Sequence, residues 1–219
     1  MDLFDRLKAS APQAWHSYVG HAFVRQMGDG TLSEAAFRAY LVQDYLFLIQ
    51  FARAYGLAAY KSRTFEDICA AQDGLAAILK ETELHVRLCA RWGLSRADIS
   101  AAHEHQATVA YTRFVLDCGA AGDLLDLHVA LAPCVVGYAE IGQALAATIG
   151  DLTSHPYRDW IGEYAGEGYQ DVARAARSHL DALAARAMTE ARFRDLSDLF
   201  AAASRLEADF WQMGLDLAR

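Results

Sequence analysis

Apolar residues recur along this chain with the 3.6-residue period of amphipathic helices, and no segment alternates as a half-buried strand does. Ala and Leu dominate and only three prolines occur, so helix propensity is favourable nearly everywhere. The period predicts long helices at about 33–62, 66–92, 105–118, 122–148, 168–187 and 190–217, and shorter helices near 2–10, 13–27 and 156–164. We therefore expect an all-α helical bundle.

The predicted helices are separated by short breaks that contain glycine, such as Gly28-Asp29-Gly30 and Gly150-Asp151. Glycine is favoured where a helix ends. None of the breaks is long enough to be a linker, and we find no internal repeat or low-complexity tract. With 54% hydrophobic residues, a chain of 219 residues can bury a full core in one domain. We expect residues 1–219 to fold as a single domain.

Charge argues against a nucleic-acid partner. The net charge is −8, and the basic residues are scattered, whereas phosphate binding needs a concentrated basic patch. A small-molecule or protein partner is favoured. The four cysteines, at positions 69, 89, 118 and 134, form no CxxC pair, which disfavours a zinc knuckle and a disulfide framework. Reduced thiols in the cytoplasm are expected.

Neither an export signal nor a membrane span is predicted. Asp2 and Asp5 lie where a signal peptide carries bases, and no apolar segment follows them. The most apolar stretch, from Leu124 to Ile149, is interrupted by charged or polar residues such as Asp126 and Glu140. We interpret this stretch as a buried helix and expect no membrane partner.

Asp44 occupies an apolar stripe of the predicted helix at 33–62. The other members of the stripe are Phe37, Tyr40, Phe47, Phe51 and Ala54. Burial of a lone carboxylate is unfavourable unless another group pairs with it or donates hydrogen bonds to it. Asp44 therefore needs a partner, which is either a permanent ion pair or interhelical hydrogen bond, or a bound ligand.

Glu207 interrupts the apolar face of the last predicted helix in the same way. Its stripe contains Phe193, Leu196, Phe200, Ala203 and Phe210, with Trp211 beside it. An apolar environment disfavours the ionised carboxylate, so the pKa of Glu207 should rise, which suits a proton donor near neutral pH. A structural glutamate bonded to a neighbouring Tyr or Arg is the alternative.

Cys134 follows a proline inside the predicted helix at 122–148. It shares a face with Leu131, Tyr138, Ile141 and Leu145. Pro133 cannot donate to the carbonyl of Val129 and should kink the helix just before the thiol, leaving a backbone polar group free. A thiol at a kink is a candidate reactive group, although buried cysteine is commonly an inert small hydrophobe.

A metal site is not expected. A di-iron bundle needs Glu-x-x-His motifs on two helices, whereas the cluster Glu81, Glu83 and His85 offers only one Glu–His pair at i,i+4. We interpret His85, like His16, His21 and His179, as a surface ion-pairing or helix-capping residue. Neither a phosphate loop nor a Gly-x-Ser-x-Gly elbow occurs, so nucleotide hydrolysis and serine-hydrolase chemistry lack support.

Four segments together resemble the TenA/thiaminase II family, and the resemblance extends from Gly28 to the C-terminal helix. The segments are Tyr40-Leu41-Val42-Gln43-Asp44-Tyr45-Leu46-Phe47-Leu48, Leu131-Ala132-Pro133-Cys134 through Gly142, Trp160-Ile161-Gly162-Glu163-Tyr164-Ala165, and Glu207-Ala208-Asp209-Phe210-Trp211. The resemblance implies a haem-oxygenase-like helical bundle without haem that forms a homotetramer. It implies hydrolysis of 4-amino-5-aminomethyl-2-methylpyrimidine to the hydroxymethyl compound and ammonia, without a cofactor, and many members also cleave thiamin.

The resemblance also implies roles for seven residues, carried over by motif. Cys134 is the nucleophile, Glu207 donates a proton, and Asp44 anchors the ring nitrogen and exocyclic amine of the pyrimidine. The residues expected to border the substrate are Tyr138 and Tyr164, and those expected to pack on the ring or tune Glu207 are Phe47 and Tyr111. One departure is Val136, where the family usually has tryptophan. We expect this smaller side chain to reshape the pocket and alter substrate preference.

The sequence is compatible with two other functions. A non-catalytic protein that binds a pyrimidine or thiamin vitamer has no need of a reactive thiol, so rapid, ligand-protected alkylation of one cysteine favours the enzyme. An iron oxidase of the same fold is the second alternative, and metal analysis distinguishes it.

Overall fold

A computed structural model describes all 219 residues, which form eleven α-helices and no strand. The helices are α1 (Leu3–Ser10), α2 (Pro12–Val19), α3 (Ala22–Gly28), α4 (Glu34–Lys61), α5 (Phe65–Arg91), α6 (Arg96–Ala101), α7 (Gln106–Ala121), α8 (Leu124–Ile149), α9 (Arg158–Ala165), α10 (Glu167–Ala187) and α11 (Glu190–Asp216). The predicted all-α class is confirmed.

The single helix predicted at 13–27 is wrong, because α2 and α3 are separate helices that meet at Gly20 and His21. The ring nitrogen Nδ1 of His21 accepts a hydrogen bond from the backbone N–H of Phe23 at 3.2 Å. This cap satisfies an N–H that has no partner inside α3. The apolar period continues across the break, which is why it does not reveal the break.

The short helix α6 was not predicted. It begins with a capping box in which the Ser95 side chain accepts from the N–H of Asp98 and the Asp98 carboxyl accepts from the N–H of Ser95. Local capping of this kind stabilises a helix that is too short to show a period. Only Ile99 of this helix is buried.

Helix α8 is the central helix of the bundle and packs against α7, α9, α10 and α11. Every residue from Leu127 to Ala139 is buried. The helix is long and apolar enough to cross a membrane, but 83% of its most apolar window is buried inside the protein. The prediction of a buried core helix is confirmed.

Two clusters of buried side chains lie on different faces of α8. The larger cluster has 37 residues and includes Cys134 and Tyr138. The smaller has 12 residues, among them Leu125, Val129 and Val136, and packs against α1 and the first half of α11. Residues two positions apart on a helix point about 200° apart, so α8 places Cys134 and Val136 in different cores.

Candidate active site

Asp44 is 3% exposed and lies on the face of α4 that packs against α5. Its Oδ2 accepts a hydrogen bond from the Tyr40 hydroxyl at 3.1 Å and lies 3.2 Å from Nδ1 of His85. The indole N–H of Trp160 donates to the Tyr40 oxygen at 3.1 Å. Asp44 therefore has permanent partners, and its other oxygen, Oδ1, takes part in none of these bonds.

The interpretation of His85 as a surface or capping residue is wrong. His85 is buried, and its Nε2 lies 2.7 Å from the backbone carbonyl of Leu41. The reason is its position on α5, where it shares a face with the buried Ile78 and Cys89. That spacing was readable in the sequence and could have placed His85 in the core.

Glu207 is 1% exposed, and its Oε1 accepts a hydrogen bond from the Tyr111 hydroxyl at 3.0 Å. Burial raises the pKa of Glu207 well above its ordinary value, and the Tyr111 bond opposes part of that rise because it favours the carboxylate. The predicted direction is confirmed. The Phe47 ring lies 5.1 Å from the Tyr111 ring and 5.5 Å from that of Phe210.

Cys134 is 8% exposed in the larger core, and all four cysteines are free. Burial raises the pKa of the Cys134 thiol well above its ordinary value, and the charges of Glu207, Glu81 and Asp44 raise it further. Helix α8 continues through Pro133, whose carbonyl accepts a hydrogen bond from Tyr18 at 3.2 Å. The environment therefore favours the neutral thiol over the thiolate.

Tyr138 and Tyr164 form part of an aromatic wall around these groups. Their ring centres are 5.0 Å apart, and Tyr138 also contacts the rings of Trp160 at 5.8 Å and Trp211 at 5.2 Å. The hydroxyl of Tyr164 donates to Oε1 of Glu81 at 2.8 Å. The wall links α8, α9 and α11 and, through this bond, α5.

Glu81 is a third carboxyl group of the site that the sequence interpretation missed. Burial raises its pKa to about 8, and the charge of Asp44 adds to the rise. Glu81 was weighed only as a metal ligand, yet it lies one turn from His85 on the same face of α5. In the structure Glu81 contacts Tyr164 and His85 contacts Asp44, so the two side chains do not converge on one metal position.

Two cavities reach Glu81 from the surface. One of about 220 Å³ lies between α4, α5, α8, α9 and α10, with Tyr55, Val135 and Tyr169 among its lining residues. The other, of about 90 Å³, lies between α5 and α9 beside His85. Neither cavity is lined by Cys134, Asp44 or Glu207, so among the site's polar groups these cavities reach Glu81 and His85.

Val136 does not line the candidate site. It is buried in the smaller core, and the adjacent Val135 lines the 220 Å³ cavity instead. The expectation that a small residue at 136 reshapes the pocket is therefore wrong, because the helical rotation from Cys134 directs this side chain to the opposite side of α8.

The helical bundle, with a thiol and two carboxyl groups buried among aromatic rings, has the haem-oxygenase-like fold. A Shewanella denitrificans domain described as having a heme oxygenase-like fold matches it with a TM-score of 0.74 at 14% identity, over 99% of this chain and 93% of that one. Residues 8–217 match the TENA/THI-4/PQQC family. The chain belongs to this family, as the resemblance predicted.

Two relatives are similar over nearly the whole chain. A TenA family transcription regulator from Silicibacter sp. TM1040 has 44% identity and a TM-score of 0.92, over 97% of this chain and 96% of that one. The aminopyrimidine aminohydrolase of Halalkalibacterium halodurans is 34% identical over 94% of this chain and 92% of its own length.

Proposed function

We propose that this protein hydrolyses 4-amino-5-aminomethyl-2-methylpyrimidine to 4-amino-5-hydroxymethyl-2-methylpyrimidine and ammonia, in thiamin salvage. The observation that carries the proposal is the burial of Cys134 with Asp44 and Glu207 in one aromatic core, beside the half-buried Glu81, with the pKa of each group raised. The similarity to an aminopyrimidine aminohydrolase supports it. Thiamin, which carries the same pyrimidine, is a second candidate substrate.

Asp44 would anchor the pyrimidine through its free Oδ1, which is suited to accept a hydrogen bond from the exocyclic amine. Tyr138 and Tyr164 would border the ring, and Phe47 would pack on it. Aromatic side chains suit this role because they stack on a flat heterocycle without requiring a particular charge. Tyr111 would act on the substrate indirectly, through its bond to Glu207.

Glu207 would act as the proton donor. Its raised pKa keeps the carboxyl group protonated near neutral pH, as a general acid requires. It would protonate a ring nitrogen while the Cys134 sulfur bonds to the neighbouring ring carbon, which interrupts the aromaticity of the ring. The electrons of the dihydro ring then expel the amine from the methylene group.

Water adds to the exocyclic methylene in place of the amine, and departure of the sulfur restores the aromatic ring. The ring nitrogen returns its proton to Glu207, and the departing sulfur takes the proton that water loses, so both groups are regenerated. One water is consumed and one ammonia is released. Covalent catalysis of this kind replaces one difficult displacement by two easier steps. Because no cationic side chain raises the acidity of the Cys134 thiol, its proton would pass to the departing amine as the carbon–sulfur bond forms.

The test is ammonia release from the aminomethylpyrimidine by wild type, Cys134→Ala and Glu207→Gln, with Cys118→Ala as the control. Cys118 is a half-buried cysteine on α7 outside the site. We expect turnover to be lost in the first two variants and retained in the control. Turnover by Cys134→Ala at the wild-type rate would contradict the nucleophile, and turnover by Glu207→Gln would contradict the proton donor.

A non-catalytic binding or regulatory protein is the second candidate, since one similar structure is described as a transcription regulator. Calorimetric binding of the hydroxymethyl compound, with no ammonia release from the aminomethyl compound by wild type, would favour it. We further propose a cytoplasmic homotetramer. Light scattering coupled to gel filtration checks the assembly, and a mass near 24 kDa would contradict it.

A further inference from the structure

We propose that His85 is the positioning residue of the site, which holds Asp44 through one proton shared between Nδ1 and Oδ2 so that Oδ1 faces the ligand. The proton-sharing pair is a property of the free protein. The effect on the ligand rests on the proposed function.

The backbone of α4 fixes the orientation of the His85 ring. A carbonyl oxygen only accepts hydrogen bonds, so the 2.7 Å contact between Nε2 and the Leu41 carbonyl places a proton on Nε2. Leu41 lies one turn before Asp44 on the same helix. The imidazole therefore bridges two points of α4, and its rotation about the ring axis is restricted.

Nδ1 and Oδ2 lie 3.2 Å apart, within hydrogen-bond reach, and a hydrogen bond between them needs one further proton. A neutral imidazole protonated at Nε2 would otherwise direct the lone pair of Nδ1 at a carboxylate oxygen. The proton is either on Asp44, which then donates to Nδ1, or on His85, which then donates to Oδ2. Its movement from oxygen to nitrogen turns a neutral pair into an ion pair and leaves the net charge unchanged.

The remaining bonds of the network favour this arrangement. The Trp160 indole N–H donates to the Tyr40 oxygen, and Tyr40 then donates its own hydrogen to Oδ2 of Asp44. Oδ2 thus has partners on two sides, and Oδ1 is left to bind a ligand. Burial raises the pKa of Asp44 and lowers that of His85, which favours the neutral pair in the free protein.

The ligand acts on the position of this proton. A pyrimidine that accepts a proton from Glu207 becomes positively charged. This charge stabilises the carboxylate form of Asp44, so the shared proton moves to His85. This proton transfer within the pair makes Asp44 negatively charged without the exchange of a proton with solvent. The charge of Asp44 also raises the pKa of the titratable groups that surround it, which are Tyr40, Glu81, Cys89, Cys134, Tyr138, Tyr164, Tyr169 and Glu207.

The pair is tested first in the free protein by nitrogen NMR after ¹⁵N labelling of histidine, with the His85 signals assigned by their loss in His85→Gln. We expect Nε2 to carry a directly bonded hydrogen at pH 7, and the Nδ1 resonance to move when Asp44→Asn removes the acid. An unprotonated Nε2, or an Nδ1 resonance that is the same in Asp44→Asn, would overturn the proposal.

The positioning role is tested by kinetics on two variants, each of which retains one of the two contacts that His85 makes with Asp44 and Leu41. The amide of His85→Asn is placed near the Nδ1 position and retains a bond to Asp44. That of His85→Gln reaches toward Leu41, so Asp44 keeps only its bond from Tyr40. Since misplacement by about 1 Å costs roughly 100-fold, we expect kcat/KM to fall about 100-fold in His85→Gln, mainly through KM, and much less in His85→Asn.

Glu83→Gln, an exposed change on the same helix, is the control and should leave turnover unchanged. If kcat/KM falls equally in His85→Asn and His85→Gln, in proportion to the fall in their melting temperatures, the role of His85 is merely structural and the positioning proposal is overturned. If wild type releases no ammonia from any pyrimidine, the proposed function fails, while the NMR experiment still decides whether the proton is shared.

Discussion

Tyr111 donates its hydroxyl hydrogen to Oε1 of Glu207 across 3.0 Å and thereby joins α7 to α11 inside the core. Both side chains are fully buried. The bond favours the ionised carboxylate, so it lowers the pKa of Glu207, whereas burial raises it. The acidity of the proposed proton donor is therefore set by two opposing effects, of which burial is the larger.

Tyr111→Phe should move the alkaline limb of the pH–rate profile to higher pH. Loss of the bond leaves the rise caused by burial unopposed, so Glu207 stays protonated to a higher pH. A lost neutral hydrogen bond costs about 1 kcal/mol, which corresponds to a fall in kcat of roughly fivefold. Tyr45→Phe, whose hydroxyl contacts Ser100 at 3.4 Å, is the control. A limb that moves to lower pH would contradict this account.

The sequence predicts the buried polar groups that interrupt an apolar period. Asp44, Glu207 and Cys134 are all in the core. Each shares a helix face with apolar residues, and such a face predicts burial. Glu81 and His85 were missed, although their spacing gives the same signal, because they were compared with a metal motif rather than with the face they share. The pairing of Asp44 with His85 depends on how α4 packs on α5, which no period within one helix reveals.

Cys134 should react slowly with iodoacetamide in the free protein. Rapid alkylation would favour the enzyme over a binding protein, but slow alkylation is compatible with the enzyme because the proposed reaction starts from the neutral thiol. The thiolate is the reactive form, and burial together with three nearby carboxyl groups raises the pKa of this thiol. Peptide mass spectrometry at pH 7.5 should find the half-buried Cys69 labelled before Cys134. Preferential labelling of Cys134 would indicate a stabilised thiolate and contradict this electrostatic description.

Glu81→Gln should stabilise the protein increasingly as pH rises. The folded pKa is about 8 against an ordinary value of 4.5, so between these values the folded state retains a proton that the unfolded state loses. Stability then falls as pH rises through this window, by at most about 1.4 kcal/mol per pH unit. Urea unfolding at pH 5 and pH 8 measures the change, with Glu83→Gln as the control. A variant that gains nothing at pH 8 would contradict the raised pKa.

Val136→Trp should lower stability without changing the turnover of the folded enzyme. The side chain points into the smaller core, where extra volume costs about 1–3 kcal/mol through overpacking. Val135→Trp, the same change one position earlier, would instead fill the cavity that leads to Glu81 and should reduce kcat/KM. Loss of turnover in Val136→Trp, with Val135→Trp active, would contradict the assignment of the two faces of α8.

His128 and His179 should make the protein sensitive to acid. Their rings lie 4.6 Å apart beside a cavity of about 190 Å³, and the Nε2 atom of each is buried without a hydrogen-bond partner. Burial, and to a smaller extent the charge of His179, lower the pKa of His128 from 6.5 to about 3. Between these two values the unfolded state binds a proton that the folded state does not, so stability is lost as pH falls below 6.5.

At pH 5 this linkage amounts to about 2 kcal/mol for His128. Raised carboxyl pKa values act in the opposite direction, so the informative quantity is the difference between variant and wild type rather than the wild-type curve. His128→Leu should lose less stability than wild type between pH 7.5 and pH 5 in urea unfolding, whereas the exposed His103→Leu serves as the control. Equal losses of stability in wild type and His128→Leu would show that His128 already carries its proton in the folded protein.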